Sequence, residues 1–386
     1  MSARKKFLVK PILAANVIST LPITKQFDGA PLTFDLFIGA CGFEERVLAA
    51  PKLLYDTKSK INKIALGTYN TNPDDNLKRQ GELLPILKKL NNDVSFFEAD
   101  SPEDIYRTIS SSLSSVNDSS RITVGIDISG GSATFITSVL LSLIRLDKDL
   151  KLVIFYTTAA IYHSPQEKSR NEPVSLWSDT DLRERGVLDV SANELAPGIQ
   201  HDHFPNYAIA LPSMFPARLQ RSLSFLGIGT LGGVEKNVFW ILPKTDDAQH
   251  KWRQSQVKLS LIEMIYGKQD QDTEPNPSDQ LLPNGQYEYC DVLSYTECLR
   301  IIMDQSQKNP NSNISIIHAG TKIQAVGTAL AIAARPEIAL IKARPQAFSA
   351  DNYSQGIGET FTICFENLQE ACKSLAKIGQ FEIENN

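Results

Sequence analysis

The turn Ser129-Gly130-Gly131-Ser132 has the residue types of an anion site. It follows an apolar run that ends at Asp127, and a helical pattern begins directly after it. Glycine lets backbone N–H groups come close to a ligand, and a helix N-terminus adds a partial positive charge, so a phosphate is the expected ligand. The alternative is a tight strand-to-helix turn that only packs against a neighbouring loop.

A second turn of this kind reads His318-Ala319-Gly320-Thr321-Lys322. Thr321 offers a hydroxyl donor. Lys322 places a cation at the start of a helix, where positive charge is unfavourable without an anionic partner. This conflict favours an anion site, and the alternative is an ordinary lysine that extends to solvent.

Two arginines, Arg46 and Arg218, occupy the same place in two matching segments. The segments read CGFEERVL from Cys41 and SMFPARLQ from Ser213, 172 residues apart. A guanidinium fork can bind phosphate with two parallel hydrogen bonds. The alternative for Arg46 is an ion pair with a carboxylate of its own unit, namely Glu44, Glu45 or Asp127.

Carboxylates at strand ends open a catalytic alternative. Asp127 or Glu44 could act as acid, base or Mg²⁺ ligand in a nucleotide hydrolase or nuclease, although an aspartate at this place also often caps the following helix. No serine–histidine–acid order is present, and His201-Asp202-His203 lacks a third ligand at a recognisable spacing, so no metal site is expected. Whether the protein is an enzyme is left open, with a non-catalytic role favoured.

The elements that must position these residues follow a repeating pattern. Short apolar runs alternate with longer segments of helical period, which predicts parallel βαβ units. The first five strands are predicted at 34–38, 61–68, 94–98, 122–128 and 152–157, and helices at 44–54, 76–90, 102–113 and 133–144. A second series is predicted at 207–211, 238–242, 287–292, 314–318 and 338–343. The fold class is therefore α/β, with two tandem Rossmann-like units that arose by internal duplication.

The predicted organisation has four parts. They are an N-terminal arm (1–31), a first Rossmann-like unit (32–163), an irregular linker or surface loop (164–206) and a second unit (207–386) with a flexible loop at 267–285. The segment 348–358 combines aromatic, polar and glycine residues. It could close over a ligand, or simply turn the chain into a further strand at 361–365.

Composition limits the possible functions. Of the 386 residues, 42% are hydrophobic and 22% charged, which is typical of a folded globular protein. A net charge of −5 argues against bulk binding of duplex DNA. The five cysteines lack metal or disulfide spacing, and no apolar run is long enough to cross a membrane, so a cytoplasmic protein is expected.

In open α/β sheets, ligands bind beyond the carboxyl ends of the strands, where these turns should converge. The fifth strand of the second series ends at Arg344, which joins the candidates for that reason. The residues expected to contact a ligand are Cys41, Arg46, Ser129, Gly130, Gly131, Ser132, Ser213, Arg218, His318, Gly320, Thr321, Lys322 and Arg344.

The Gly320-Thr321-Lys322 turn resembles that of the CRISPR-associated Rossmann fold sensors, and Gly130-Gly131-Ser132 is its counterpart in the first unit. Two such units in one chain, over about residues 32–345, resemble the SAVED arrangement of antiphage signalling. The resemblance implies a sensor of a nucleotide or cyclic oligonucleotide that acts on an effector protein partner. No segment here is long enough for the effector module that such sensors commonly carry. The other readings are a nucleotide-processing enzyme and a scaffold that binds no small molecule.

Overall fold

The computed structural model describes residues 7–114, 121–162, 174–177, 182, 184–229, 237–248, 250–267, 282, 285–350 and 353–385. Most of the predicted loop 267–285 lies outside these residues. Parts of the predicted linker and residues 1–6 of the predicted arm also lie outside them.

The strands are β1 (Phe7–Pro11), β2 (Lys25–Gln26), β3 (Thr33–Phe34), β4 (Leu36–Cys41), β5 (Lys60–Ile61), β6 (Ile64–Thr68), β7 (Val94–Glu98), β8 (Ile122–Asp127), β9 (Leu150–Thr157), β10 (Ile161–Tyr162), β11 (Glu184–Ala192), β12 (Asn206–Leu211), β13 (Val238–Lys244), β14 (Tyr287–Asp291), β15 (Asn313–His318), β16 (Ala339–Phe348), β17 (Ser354–Gln355), β18 (Thr360–Phe365) and β19 (Phe381–Asn385). The helices are α1 (Ala14–Ile18), α2 (Ala49–Asp56), α3 (Pro73–Leu90), α4 (Pro102–Leu113), α5 (Ala133–Arg145), α6 (Ala217–Phe225), α7 (Lys251–Tyr266), α8 (Tyr295–Lys308), α9 (Lys322–Ala334) and α10 (Leu368–Ala376).

Two large sheets with the same parallel core dominate the described residues, beside the two-stranded pairs β1-β19, β3-β5 and β10-β17. The first has seven strands in the order β2-β18-β9-β8-β4-β6-β7, and the second has six in the order β11-β16-β15-β12-β13-β14. In each, five parallel strands follow the order 3-2-1-4-5 when numbered within their own series. This is the Rossmann strand order, and the predicted fold class is confirmed.

Each sheet also gains an antiparallel strand beside its fifth parallel strand. In the first sheet β18 pairs with β9, and in the second β11 pairs with β16. Strand β18 comes from the C-terminal part of the predicted second unit, so the chain returns to the first sheet after completing the second. Strand β11 lies in the segment predicted to be irregular. The domain boundaries stay a prediction.

The helices form a double layer between the two sheets. In this layer α4 packs on α5, α5 on α9 and α8 on α9, and one apolar core runs through all four helices and the facing strands. A second core lies between the second sheet and helices α6 and α7, and a third between the first sheet and helices α2 and α3. Because α5 and α9 follow the fourth strands of their series, their contact holds the two glycine-containing turns close to each other.

Local sequence explains most of these elements. The central strands are continuous apolar runs because both faces of each sheet are covered; all six residues of β4 are buried. At α4, Ser101 Oγ accepts from the N–H of Asp104 at 3.3 Å and Pro102 occupies the first helical position, as predicted. No helix of the described residues is long and apolar enough to span a membrane.

Candidate functional site

The carboxyl ends of the parallel strands from both sheets open onto one cleft of about 870 Å³. The turns after β4 and β8 line it from the first unit, and those after β12 and β15 line it from the second. These are the points where the strand order of each sheet reverses, which is where ligands bind in open α/β folds. Of the predicted residues, the cleft lining includes Glu44, Arg46, Gly130, Gly131, Ser132, Ser213, Arg218, His318, Gly320, Thr321, Lys322 and Arg344.

Lys322 crosses from the second unit to the first. Its Nζ donates to the carbonyl oxygen of Gly131 at 2.6 Å and lies 3.8 Å from Glu44 Oε2. Burial lowers the pKa of Lys322 to about 8, although Glu44 partly opposes this. The ammonium group therefore lies in the cleft with one neutral acceptor and one carboxylate at the limit of ion-pair distance.

Arg46 is held by protein groups on both sides of its guanidinium. Its Nη2 lies 2.7 Å from Glu44 Oε1, and Nη1 donates to the hydroxyl of Tyr162 at 3.3 Å and to the carbonyl of Thr157 at 3.3 Å. Burial works against the charged form of Glu44, but Arg46 and Lys322 outweigh it and hold the pKa of Glu44 below its usual value. The ion pair with Glu44 is the alternative raised for Arg46 from its sequence.

Arg218 has the same kind of partner. Its Nε and Nη2 donate to the two carboxylate oxygens of Glu184 at 2.6 and 2.8 Å. Glu184 begins β11, a strand that the sequence pattern did not predict, so this pairing could not be anticipated. Both forks that could hold phosphate are therefore occupied by carboxylates.

The glycine turn of the first unit uses most of its own donors. The N–H of Ser129 donates to Asp127 Oδ1 at 2.9 Å, that of Gly131 to the carbonyl of Ile128 at 3.0 Å, and that of Ser132 to the hydroxyl of Tyr69 at 2.7 Å. A Cβ at Gly130 would overlap the carbonyl oxygen of Ala40. Close packing against β4 thus accounts for this glycine without a ligand.

Three predicted residues lie beneath the cleft surface and do not line it. Cys41 is 1% exposed, and burial raises its thiol pKa to about 11. Ser129 is fully buried, and its Oγ accepts from the N–H of Thr157 at 2.8 Å. Asp127 is 4% exposed, and burial raises its pKa to about 6. These residues are placed inward because each strand continues into the buried start of its turn.

The second unit's turn is stabilised by a complete capping box. Thr321 Oγ1 accepts from the N–H of Gln324 at 3.3 Å, and Gln324 Oε1 accepts from the N–H of Thr321 at 3.0 Å. His318 bridges Thr328 Oγ1 and the carbonyl of Thr321, and burial lowers its pKa to about 4. His318 is therefore neutral and supports the turn.

Charged residues after the third strand and within the fifth extend the site. The fifth strand of the second series was predicted to end at Arg344, but β16 continues to Phe348, because its outer part pairs with β11. Arg344 Nη2 lies 2.8 Å from Asp189 Oδ2, while its Nε has no hydrogen-bond acceptor among the described residues. Lys342 Nζ lies 2.7 Å from Glu194. Asp100, which follows β7, also lines the cleft, and burial raises its pKa to about 6. Asp100 was not among the predicted residues, although its place after an apolar strand could have indicated that it lies at this end of the sheet.

Tyr162, His250 and Arg253 form what we call the aromatic-basic cluster. The Arg253 guanidinium carbon lies 4.7 Å from the Tyr162 ring centroid, and the His250 ring meets Tyr162 edge-on at 5.2 Å. All three residues line the cleft. No motif marks them in the sequence, because Tyr162 belongs to the two-residue strand β10 and the other two lie at the start of α7.

In the segment at 348–358, Phe348, Tyr353 and Gly358 line the cleft, and β18 follows. Phe348 and Tyr353 pack with Phe43 at ring-centroid distances of 6.0 and 5.4 Å, and Ser354 Oγ donates to Glu44 Oε1 at 2.7 Å. Residues 351–352 lie outside the described part of the chain. The segment thus both contacts the cleft and leads into a further strand.

Chemically, the cleft offers the Lys322 ammonium group to an anion and the Arg253 guanidinium, with the Tyr162 ring, to a planar group. Within the described residues no three histidine, cysteine or acidic side chains are grouped so as to hold a metal ion. The two carboxylates proposed as catalytic, Asp127 and Glu44, both contact protein donors.

No family model matches the sequence, and no curated protein matches it either. A solved structure of a Type III CRISPR defence DNA nuclease activated by cyclic oligoadenylate is similar over 77% of this chain, with 8% identity and a TM-score of 0.42. This chain spans 63% of that nuclease. The cytoplasmic domain of a prokaryotic cation chloride cotransporter is similar over 81% of this chain and 96% of its own length, with 8% identity and a TM-score of 0.21. At these values the likenesses carry nothing about ligand or activity.

Proposed function

We propose that this chain is a ligand-sensing protein whose cleft binds a nucleotide, a cyclic oligonucleotide or a related phosphorylated molecule. Ligand binding between the two units would change their relation and so act on an effector protein partner. A role in antiphage defence rests on the resemblance of the sequence alone and stays a prediction.

The contact of Lys322 with the first unit carries the proposal. Lys322 reaches from the N-terminus of α9 to the turn before α5, where among the described residues its Nζ donates to the Gly131 carbonyl and lies 3.8 Å from Glu44. An anion at this point would contact both units at once and would lie near the N-termini of two helices. A ligand that contacts both units can favour one arrangement of them over another.

The size and position of the cleft support the same proposal. Its volume of about 870 Å³ lies in the range of small-molecule sites, and it lies at both topological switch points. Arg344 adds a buried Nε without an acceptor among the described residues. A phosphate oxygen would satisfy such a donor.

The scaffold reading is the second candidate, and the ion pairs of the cleft favour it. Four of its cations already have a carboxylate partner: Arg46, Arg218, Lys342 and Arg344. A cleft whose charges are neutralised in this way attracts anions less strongly. The enzyme reading stays a prediction, because its two candidate carboxylates, Asp127 and Glu44, both accept hydrogen bonds from protein donors.

Thermal unfolding against mononucleotides, dinucleotides and cyclic oligonucleotides tests the proposal. A ligand at 100 times its Kd should stabilise the wild type by about 2.7 kcal/mol. Lys322→Ala should lose this stabilisation, while the control Lys373→Ala, at an exposed residue of α10, should keep it. If no nucleotide raises the unfolding temperature of the folded wild type, the sensor proposal is wrong and the scaffold reading is favoured.

A further inference from the structure

We infer that the aromatic-basic cluster of Tyr162, His250 and Arg253 is a nucleobase-stacking subsite of the cleft. The inference rests on the proposed function and specifies it, because it assigns separate places to the base and the phosphate of one ligand. Nucleobases stack on aromatic rings and on the planar guanidinium group of arginine.

The geometry of the cluster suits a flat ring. Arg253 lies over the Tyr162 ring with its guanidinium carbon 4.7 Å from the centroid, and both residues also line the cleft. The His250 ring stands nearly perpendicular to Tyr162, at 82°. The 4.7 Å between Arg253 and Tyr162 leaves no room for a ring between them, so a base would stack on the outer face of the Arg253 guanidinium and extend the existing stack.

Hydrogen bonds hold two of the three side chains in place before any ligand arrives. The Tyr162 hydroxyl accepts from Arg46 Nη1 at 3.3 Å and from the N–H of Ala159 at 3.5 Å. His250 Nδ1 is hydrogen-bonded to Asp247 Oδ2 at 2.6 Å. Such ordering lowers the entropy lost on binding and is typical of a prepared site.

Arg253 differs from the other arginines of the cleft in its partners. Arg46, Arg218 and Arg344 each have a carboxylate within 3 Å, whereas in the described part of the chain Arg253 has none within ion-pair distance. The Arg253 guanidinium contacts the Tyr162 ring and lines the cleft. A planar cation of this kind is a group on which a nucleobase can stack.

A short series of contacts joins the cluster to the proposed phosphate position. Lys322 lies 3.8 Å from Glu44, Glu44 pairs with Arg46, and Arg46 donates to Tyr162. The two positions are thus separated by two side chains within one cleft. Tyr162 belongs to the first unit and Arg253 to helix α7 on the second sheet, so the base, like the phosphate, would contact both units.

Calorimetric titration with AMP and with ribose 5-phosphate tests the subsite, because the two probes share the phosphate and differ in the base. Wild type should bind AMP about tenfold more tightly than ribose 5-phosphate. Arg253→Ala and Arg253→Lys should lose this preference while ribose 5-phosphate binds as before. The lysine variant keeps the charge and removes the planar group. His250→Ala gives an independent reading, and the exposed Arg107→Lys on α4 is the control.

The outcomes separate the two proposals. If wild type binds both probes equally, or if the Arg253 variants weaken both by the same factor, the base subsite is wrong and the phosphate cleft stands. If Lys322→Ala loses both probes while the Arg253 variants lose only the preference for AMP, both proposals are supported. If wild type binds neither probe, the base subsite is wrong, and the thermal-unfolding panel with dinucleotides and cyclic oligonucleotides decides whether the sensor proposal is wrong as well.

Discussion

The two units carry equivalent arginines that are paired in different ways. Arg46 takes its carboxylate from Glu44, two residues earlier in the same turn, and the side chains of the pair are 4% and 7% exposed. Arg218 takes its carboxylate from Glu184 on an added strand, and its own side chain is 21% exposed. The same ion pair is thus built from a local partner in one unit and from a distant one in the other. This comparison indicates that both arginines mainly hold their turns in place.

The two glycine-containing turns also differ in the atoms that surround their glycines. In the first unit, Gly130 packs directly against backbone, and the N–H groups of the turn are largely used by protein acceptors. In the second, Gly320 faces the side chains of Gln324 and Leu211, and the turn projects Lys322 into the other unit. The first turn supplies the carbonyl oxygen of Gly131, and the second supplies the Lys322 ammonium group that donates to it.

Replacing Gly130 and Gly320 by alanine should give the largest difference in folding stability between the two turns. Gly130→Ala should cost about 3 kcal/mol or more, because its Cβ overlaps the fixed carbonyl of Ala40. Gly320→Ala should cost less, about 1 to 2 kcal/mol, because the nearest atom, at 2.6 Å, is Oε1 of the Gln324 side chain, whose displacement breaks one capping-box bond and moves no backbone. Urea unfolding measures both. Gly81→Ala in α3, with nothing within 4 Å of the added Cβ, should stabilise slightly. Equal losses at Gly130 and Gly320 would contradict the contrast.

Replacing the carboxylates of Glu44 and Glu184 by amides should cause the next largest loss of folding stability. Glu44→Gln should cost about 3 kcal/mol, because it leaves Arg46 charged and buried, and Glu184→Gln should cost less, because Arg218 reaches some solvent. The folded-state pKa of Glu44 is lowered, so its contribution is present above pH 4.5 and is lost as the pH falls below that value. The advantage of wild type over Glu44→Gln in urea unfolding should therefore shrink in acid. An advantage that stays constant from pH 7 to pH 3 would argue against the pairing.

The pH dependence of ligand binding should identify Lys322 as the cation of the site. Its pKa in the free protein is about 8, so a bound phosphate must supply energy to keep it protonated above that pH. Affinity for AMP should change little between about pH 7, where its phosphate is mostly a dianion, and pH 8, and fall by up to about tenfold per pH unit above that. Lys322→Arg, which stays charged, should bind with little change up to pH 10. The same decline in both proteins would assign the titration to another group.

The smallest difference in folding stability between the two units is expected when the side chains that cap α5 and α9 are removed. Ser132→Ala removes one hydrogen bond, to the N–H of Phe135, and should cost about 1 kcal/mol. Thr321→Ala removes both the cap to Gln324 and the bond from Oγ1 to the carbonyl of Val292, and should cost about 2 kcal/mol. Thermal unfolding of both variants checks the order. A larger loss at Ser132 would show that the first turn depends more on its cap than on its glycine packing.

The sequence pattern predicted the parallel strands well because they are buried on both faces. The strand 94–98 and the helix 102–113 were predicted at their observed bounds, and most other elements within three residues. Strand β11 was missed because it lies at a sheet edge, where residues such as Leu188 are exposed and no apolar period forms. Edge pairing with β16 decides its conformation, and that partner lies about 150 residues away.

The sequence located the turns that line the cleft and named Glu44 among the possible partners of Arg46. The partner of Arg218 and the inward placement of Ser129 depend on packing and could not be predicted. The aromatic-basic cluster combines β10 with the start of α7, which are about 90 residues apart and follow no motif. Spacing along a chain gives no information about such a contact.

The sequence by itself determined the elements and their repetition, because apolar period and turn residues act over a few positions. It thereby determined two Rossmann-like sheets and the edge at which a ligand would bind. Only the tertiary structure decided that α5 packs on α9, that Lys322 therefore reaches the first unit, and that most other cations of the cleft are neutralised. The reason is physical: side-chain pairing in a shared cleft depends on which helix faces meet, and that depends on the whole core.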